Sequence, residues 1–269
     1  MRVDLLAQNR YRISNQSNYF LALGLTRRSS RPAYGGRLTL FVSLIHVQPL
    51  FKYLPSAYVP ALLERGELLF RNLTYFRQCE GRVRGDPYEG IHKDHPGTER
   101  EIRNLTNGFV SRGAFSFLHS TDSDHIFAFC LSQRLDARMA KDFGADTVIE
   151  FFDPEELIRR VRFNLRRVLS VHRAGVLAKE VIYYRPDEPA LFDVADPKRL
   201  AFVKNDQYRS QSEYRLVFGS RKAFKLIRQI AQPHHDPYED AMQKTSAEKF
   251  VRVGALSDIA RVVAIPPPG

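Results

Sequence analysis

The sequence predicts an α+β protein, and three observations carry that expectation. From residue 47 onward, short stretches place apolar side chains at alternate positions, the signature of half-buried strands. One segment, 153–169, repeats its apolar residues every four positions instead, as an amphipathic helix does. No internal repeat and no Gly/Ser linker divides 45–269, so strands and helices are expected to share one domain.

Residues 1–44 stand apart. They hold seven arginines and one acid, Asp4, a net +6 of the chain's +11. They are expected to form a loosely ordered basic arm, or an extension from an early start codon, that adds nothing to the core. Within 45–269, residues 47–53 read as a strand. Ser56 is placed to cap a short helix over 57–65, with Pro60 tolerated near its start and Gly66 ending it. Residues 67–76 alternate as a strand that turns Leu68, Phe70 and Leu73 inward. The polar stretch 77–107 reads as a long loop, which in a compact chain is more often functional than idle. Strands follow at 125–132 and 147–152. A helix opens at Asp153, with Pro154 in its first position and Glu155 and Glu156 in its first turn. Its buried stripe is Leu157, Val161, Leu165 and Leu169, while Arg159, Arg160, Arg162, Arg166 and Arg167 cover the other faces. Strands at 179–184 and 213–218 and a helix at 221–229 complete the reading.

Composition narrows the classes. With 43% hydrophobic and 26% charged residues the chain is a folding one. It has no run of about 18 apolar residues, so no membrane span is expected. The most signal-like segment, 38–50, starts late and contains His46 and Gln48, and a cytoplasmic location is expected. Cys79 and Cys130 are too few for a disulfide framework or a four-thiolate zinc site and read as small hydrophobes. No phosphate-binding loop, dinucleotide fingerprint, HExxH or G-x-S-x-G occurs. His234, His235, Asp236 and Glu239 sit between and beside prolines and read as a solvated loop; no metal is expected.

Several short motifs recur in a definite order: Leu50-Phe51-Lys52-Tyr53, then Leu62 and Gly66, Tyr75-Phe76-Arg77, and Asp86-Pro87-Tyr88-Glu89-Gly90. Phe129-Cys130-Leu131-Ser132, Phe202-Val203-Lys204-Asn205-Asp206 and Gln211-Ser212-Glu213-Tyr214-Arg215 follow. In this order they resemble a large bacterial family whose members carry a Phe-Asn-Asp-Pro-Phe-Glu-like motif and a late Glu-x-Glu-Tyr-Arg motif. The resemblance spans roughly 48–265. It departs where 78–85 separate Phe76 from Asp86, where Arg138-Met139-Ala140 replaces a Met-Trp pair, and where Gln211 replaces the first Glu.

The family's layout in turn resembles that of ADP-ribosyltransferases, which implies two small, packed, mostly antiparallel sheets with flanking helices. It implies NAD as substrate, Glu213 as the catalytic carboxylate and Gln211 as the residue facing the acceptor. Lys52, Tyr53, Ser132, Phe76 and Arg77 would shape the NAD cleft, and Asp86 and Glu89 would form a loop site. On a strand, positions i and i+2 share a face, which would bring Gln211 and Glu213 to one ligand. Cleavage of the nicotinamide–ribose bond passes through an oxocarbenium-like state that a carboxylate stabilises. The implied setting is a toxin or phage-defence protein acting on a macromolecule such as DNA or RNA, with an antitoxin or defence partner.

Plainer readings stand beside these. Glu213 with Arg215 reads equally as a surface ion pair, Lys204 and Asp206 as a charged strand end, and Asp86-Pro87 as a turn. A non-catalytic nucleic-acid-binding or sensor protein would use Arg159, Arg160, Arg166, Arg167 and the basic run 221–228. A metal-dependent nuclease would use Asp86, Glu89 and Glu213.

Overall fold

The computed structural model describes residues 3–4, 11–14, 48–79, 85–95, 99–104, 108–188, 190, 192–233 and 245–267. Its strands are β1 (Val3–Asp4), β2 (Tyr11–Ser14), β3 (Leu50–Leu54), β4 (Glu67–Asn72), β5 (Ile91–Asp94), β6 (Glu99–Asn104), β7 (Val110–Thr121), β8 (Ile126–Ser132), β9 (Thr147–Phe151), β10 (Leu177–Glu180), β11 (Ile182–Tyr184), β12 (Val203–Asn205), β13 (Glu213–Gly219), β14 (Leu226–Pro233), β15 (Glu248–Arg252) and β16 (Ala260–Val263). The helices are α1 (Val59–Leu63), α2 (Leu73–Gln78), α3 (Ala137–Asp142), α4 (Pro154–Leu165) and α5 (Pro197–Leu200). The chain is α+β, and its sheets are mostly antiparallel.

The larger sheet has eight strands in the order β10-β13-β8-β3-β9-β16, with β4 joining β8 to β15. One edge of β8 pairs with β13 along its length, from Ile126 opposite Gly219 to Ser132 opposite Glu213. Its other edge is shared, β4 pairing at Phe127 and Ala128 and β3 at Ser132. A six-stranded sheet is built around the long β7, which pairs with β14, β6 and β5. The small β11–β12 pair is parallel. Among the described residues of 1–44, β1 pairs with β14 and β2 with β6; the rest of that stretch lies outside the described residues.

Alternation along β8 and β13 gives the large sheet two different faces. One carries Phe129, Leu131, Leu216 and Phe218, covered by Leu157, Val161 and Leu165 of α4. The other carries Ala128 and Val217 at one end, packed on Ala201, Phe202 and Phe224. At its other end Phe51, Tyr53 and Val148 pack on Met139 and Ala140. Between these two apolar patches the face is polar: Cys130, Ser132, Glu213 and Arg215 lie there.

Local chemistry explains where the elements depart from expectation. The strand expected over 67–76 stops at Asn72, whose side chain accepts from the Tyr75 backbone N–H at 3.1 Å and starts α2. Ser56 does not cap a helix; its backbone N–H and its hydroxyl both donate to Asp146 instead. The stretch 77–107 contains β5 and β6. Helix α4 is capped by Asp153 and ends at Leu165, leaving Leu169 82% exposed and outside the buried stripe. Residues 179–184 split at Val181 into two strands that serve different sheets. The helix expected at 221–229 is absent: 226–233 is strand β14, its backbone groups taken up by β7. Gly66 does end the first helical segment, at φ +61°, and a Cβ there would lie 1.8 Å from the Gly254 carbonyl oxygen. The segment holding His234, His235, Asp236 and Glu239 lies outside the described residues. Among the described residues no helix is long and apolar enough to cross a membrane.

Candidate functional site

Over the polar part of the large sheet, three short segments converge. The turn after α2 brings Asp86 and Glu89, β12 brings Lys204, and the 3-10 turn Asp206–Gln211 brings Tyr208 and Gln211. The first is a tight turn. Asp86 Oδ1 accepts from the Tyr88 N–H at 2.9 Å, and the Glu89 N–H donates to the Asp86 carbonyl at 3.0 Å. Gly90 closes it at φ +69°, where a side chain would press on Leu73 and Ser123.

At the centre stands Arg215, 1% exposed. Its Nε donates to Glu213 Oε1 at 2.9 Å and its Nη2 to Glu213 Oε2 at 3.0 Å. The same guanidinium holds Glu89 through both nitrogens, Nη2 to Oε2 at 3.0 Å, and donates to the Ala201 carbonyl. Lys204 Nζ completes the cluster, donating to Glu213 Oε2 at 3.1 Å and to Gln211 Oε1 at 2.9 Å. The Tyr208 ring lies 4.9 Å beneath the ammonium group. Two cations therefore face two carboxylates in a buried site.

The electrostatics follow from that balance. Burial favours the neutral acid at Glu213, but Arg215 and then Lys204 outweigh it and hold the carboxyl well below the usual range. Burial also opposes the charge on Lys204, yet Glu213 and Glu89 raise its pKa. Asp86 goes the other way. Burial first, and the Glu89 charge second, push it up to about 6. Its Oδ2 is buried without a hydrogen-bond partner. Cys130, beside Glu213, is raised by burial and by that carboxylate. Tyr183, whose oxygen accepts from the Glu213 N–H at 2.8 Å, is pushed up to about 12 by burial and then by Glu213.

Next to the cluster lies a cleft of about 820 Å³, walled by Arg77, Gly85, Pro87, Arg138, Tyr208 and Gln211. That volume falls in the range of small-molecule sites, roughly 300–1,000 Å³. Gln211 belongs to both the cleft and the charged cluster.

The sequence-derived residues divide as follows. Glu213, Gln211, Asp86 and Glu89 come together. Ser132, opposite Glu213 in the strand register, donates to the Gln211 carbonyl at 2.8 Å and so anchors the 3-10 turn. Tyr53 shares that face; its hydroxyl donates to the Arg134 carbonyl at 2.7 Å and accepts from the Asp136 N–H at 2.8 Å. It thereby fixes the chain leading into α3, the far wall of the cleft. Phe76 packs against the Ala201–Phe202–Phe224 patch, and Arg77 reaches the Glu89 carbonyl and the Ser123 hydroxyl from the cleft edge. Lys52 lies on the opposite face of the sheet, its Nζ donating to the Cys130 carbonyl at 2.8 Å and sitting 4.5 Å over the Phe129 ring. Arg159 and Arg160 of α4, and Arg166 and Arg167 just past its end, are on that opposite side too. Arg159 and Arg160 pair with Glu156, Arg160 also with Asp258, and Arg166 and Arg167 lie over Phe163.

Two corrections concern how the site is assembled. Gln211 is not on the strand with Glu213: Ser212 between them adopts φ +41°, and Lys204, not strand alternation, gathers the two side chains. The Glu213–Arg215 pair is not at the surface, nor is Lys204 a solvated strand end. Arg215 and Lys204 are the residues that sequence reasoning undervalued. Both sit among apolar neighbours, Phe202-Val203 for one and Leu216-Val217-Phe218 for the other. A cation in a strand with apolar residues on both faces must be buried and paired.

Among the described residues no three His, Cys, Asp or Glu side chains gather as metal ligands, and between Glu89 and Glu213 the Arg215 guanidinium already serves as the cation. Comparison of the chain with protein-family models, with curated proteins and with solved structures finds no match.

Proposed function

We propose that the chain is an ADP-ribosyltransferase-like enzyme that cleaves NAD in the cleft and passes ADP-ribose to a macromolecular acceptor, nucleic acid being the acceptor class favoured. The observation that supports this most directly is the placement of Glu213. It opens β13 opposite Ser132 and is tied through Lys204 to Gln211, which lines a cleft of suitable size. The toxin or phage-defence setting rests on the family resemblance alone.

In this reading Arg138, on a cleft edge that also carries Asp136 and Asp142, meets the diphosphate, and Arg77 shapes the edge through its bonds to the Glu89 carbonyl and the Ser123 hydroxyl. Glu213, kept ionised by Arg215 and Lys204, stabilises positive charge on the ribose as nicotinamide leaves. Gln211, one turn away, addresses the acceptor. Glu213 is buried, so contact between it and the ribose requires the neighbouring turn Asp206–Gln211 to shift.

The test is nicotinamide release from labelled NAD, followed with and without RNA, DNA and protein acceptors. Wild-type protein is expected to release nicotinamide and label an acceptor, with Glu213→Gln reducing both at least a hundredfold while still melting cooperatively. Absence of release by wild type, or equal release by Glu213→Gln, would overturn the proposal. Steeply salt-dependent nucleic-acid binding without turnover would point to a binding protein.

A further inference from the structure

The chain leaving α4 forms a basic tip that the cleft chemistry does not use. Leu169 is 82% exposed there, with Val168 at 43% and Phe163 at 49% beside it. This is not a frayed helix end. The Val168 N–H donates to the Leu165 carbonyl and the Val171 N–H to the Val168 carbonyl, closing a turn. From the turn after β13, the Arg221 N–H donates to the Ser170 carbonyl at 2.9 Å and its Nε to the Leu169 carbonyl at 2.9 Å. A bonded backbone therefore holds aliphatic side chains out in water, where they are unfavourable. Around them Arg166, Arg167, Arg173, Arg221 and Lys222 are all exposed. Among the described residues Arg166, Arg167, Arg173 and Lys222 have no ion-pair partner. The sequence supplies the reason: residues 157–179 and 214–233 contain no Asp or Glu.

We propose that this tip is a peripheral docking surface for an anionic lipid bilayer, Leu169 and Val168 entering below the headgroups and the surrounding cations meeting lipid phosphates. The cations alone fit any polyanion; the apolar tip decides the class. A bilayer interface buries aliphatic side chains and attracts basic ones at the same place. A nucleic-acid backbone offers phosphates but nothing apolar at its rim. The Phe163 ring, moreover, is already met by the Arg166 and Arg167 guanidinium groups, 5.3 and 5.4 Å from its centre, instead of standing open to a base. Contact of this kind is peripheral and needs no membrane-spanning helix. The tip is also distant from the charged cluster. It bonds to the Gly219 end of β13, the His172 N–H donating to the Gly219 carbonyl at 2.8 Å, whereas Glu213 begins that strand. At roughly 3.4 Å per residue the two ends lie about 20 Å apart. The inference is independent of the chemistry proposed for the cleft.

The test is sedimentation of the full chain with phosphatidylcholine vesicles, with and without about one-third phosphatidylglycerol. Binding is expected to the anionic vesicles and not to the neutral ones. Leu169→Ser is expected to weaken it about tenfold or more, and the double variant Arg166→Ala/Arg167→Ala by about the same factor. All three side chains are exposed, so both variants are expected to melt as wild type does. The chain contains no Trp, so Leu169→Trp supplies a lone reporter indole at the tip. Its emission is expected to shift to the blue on anionic vesicles and to be quenched by brominated acyl chains. Absence of vesicle binding, or equal binding to both kinds of vesicle, overturns the proposal. Binding that survives Leu169→Ser also overturns it, since charge elsewhere, such as that of residues 1–44, would then be responsible. An indole whose emission stays that of a solvated group while the protein is bound has the same consequence. Nucleic-acid binding that is lost in Arg166→Ala/Arg167→Ala and unchanged in Leu169→Ser, with no vesicle binding, overturns it in favour of a phosphate-backbone surface.

Discussion

Asp86→Asn should make this protein more stable at neutral pH. Asp86 is buried in the Asp-Pro-Tyr-Glu-Gly turn, its Oδ1 engaged by the Tyr88 N–H and its Oδ2 without a partner. Burial and the Glu89 carboxylate raise its pKa from 3.8 to about 6, against the smaller opposing pull of Lys204 and Arg215. A carboxyl raised in the folded state binds its proton more tightly there than in the unfolded chain. Its contribution is then fully present below pH 3.8 and is lost as the pH climbs through about 6. At about 1.4 kcal/mol per pH unit, the change across that window amounts to about 3 kcal/mol. Asparagine keeps the shape and the Tyr88 contact but carries no charge at any pH. Urea unfolding of both proteins between pH 4 and 8 isolates this one group, because other titrations cancel in the difference. The variant should match wild type near pH 4 and exceed it by about 1–3 kcal/mol above pH 7. A difference that stays flat across the range, or one in which wild type gains as pH rises, would refute the reasoning.

Other perturbations probe the same architecture. Arg215→Met strips Glu213 and Glu89 of the cation they share, and leaving buried charges uncompensated costs about 3–5 kcal/mol, measurable as a lowered urea midpoint; a neutral result would mean the cluster hydrates readily. Tyr53→Phe orphans the Arg134 carbonyl and the Asp136 N–H and should cost about 1–3 kcal/mol. Gly66→Ala must place a methyl on the Gly254 carbonyl at a positive φ, so a loss of roughly 2 kcal/mol or more is expected in thermal melts.

How legible all this was depended on whether a residue's fate is local. The helix opening at Asp153 was readable because its cap, its Pro154 and its leucine stripe all lie within one segment. Strands β8, β9 and β13 were readable because alternation needs no partner to be seen. The strand at 226–233 was not, since basic residues spaced along 221–228 mimic a solvated helix until β7 supplies the pairing. Leu169 misled for a related reason: a period of four continues past the point where the helix stops. In the site, Glu213, Gln211, Asp86 and Glu89 were singled out through resemblance, a turn being the plainer reading of Asp86 and Glu89. The contacts joining them span 126 positions from Glu89 to Arg215. No local pattern encodes that distance.

The ionic cluster itself argues for use rather than for stability. Taking Arg215, Lys204, Glu213 and Glu89 out of water costs several kcal/mol per ion, and their attraction at best repays it; apolar residues of similar volume would hold the sheet as well or better. Strongly shifted titrating groups gathered beside a cleft are the usual mark of a site at work. Here the shifts diverge within one cluster: Glu213 is held ionised while Asp86, across the shared cations, is held ready to take a proton near neutrality. Separation of that kind between neighbouring carboxyls is how one site supplies a fixed negative charge and a movable proton together. Under the proposed function it also fixes where nicotinamide release should respond to pH. A site using Glu213 alone would show no acid limb above pH 4, whereas one that also needs Asp86 in a single protonation state would change rate near pH 6. The pH profile of nicotinamide release, run on wild type and on Asp86→Asn, distinguishes them: an inflection near pH 6 that vanishes in the variant assigns it to Asp86, and one that persists assigns it elsewhere.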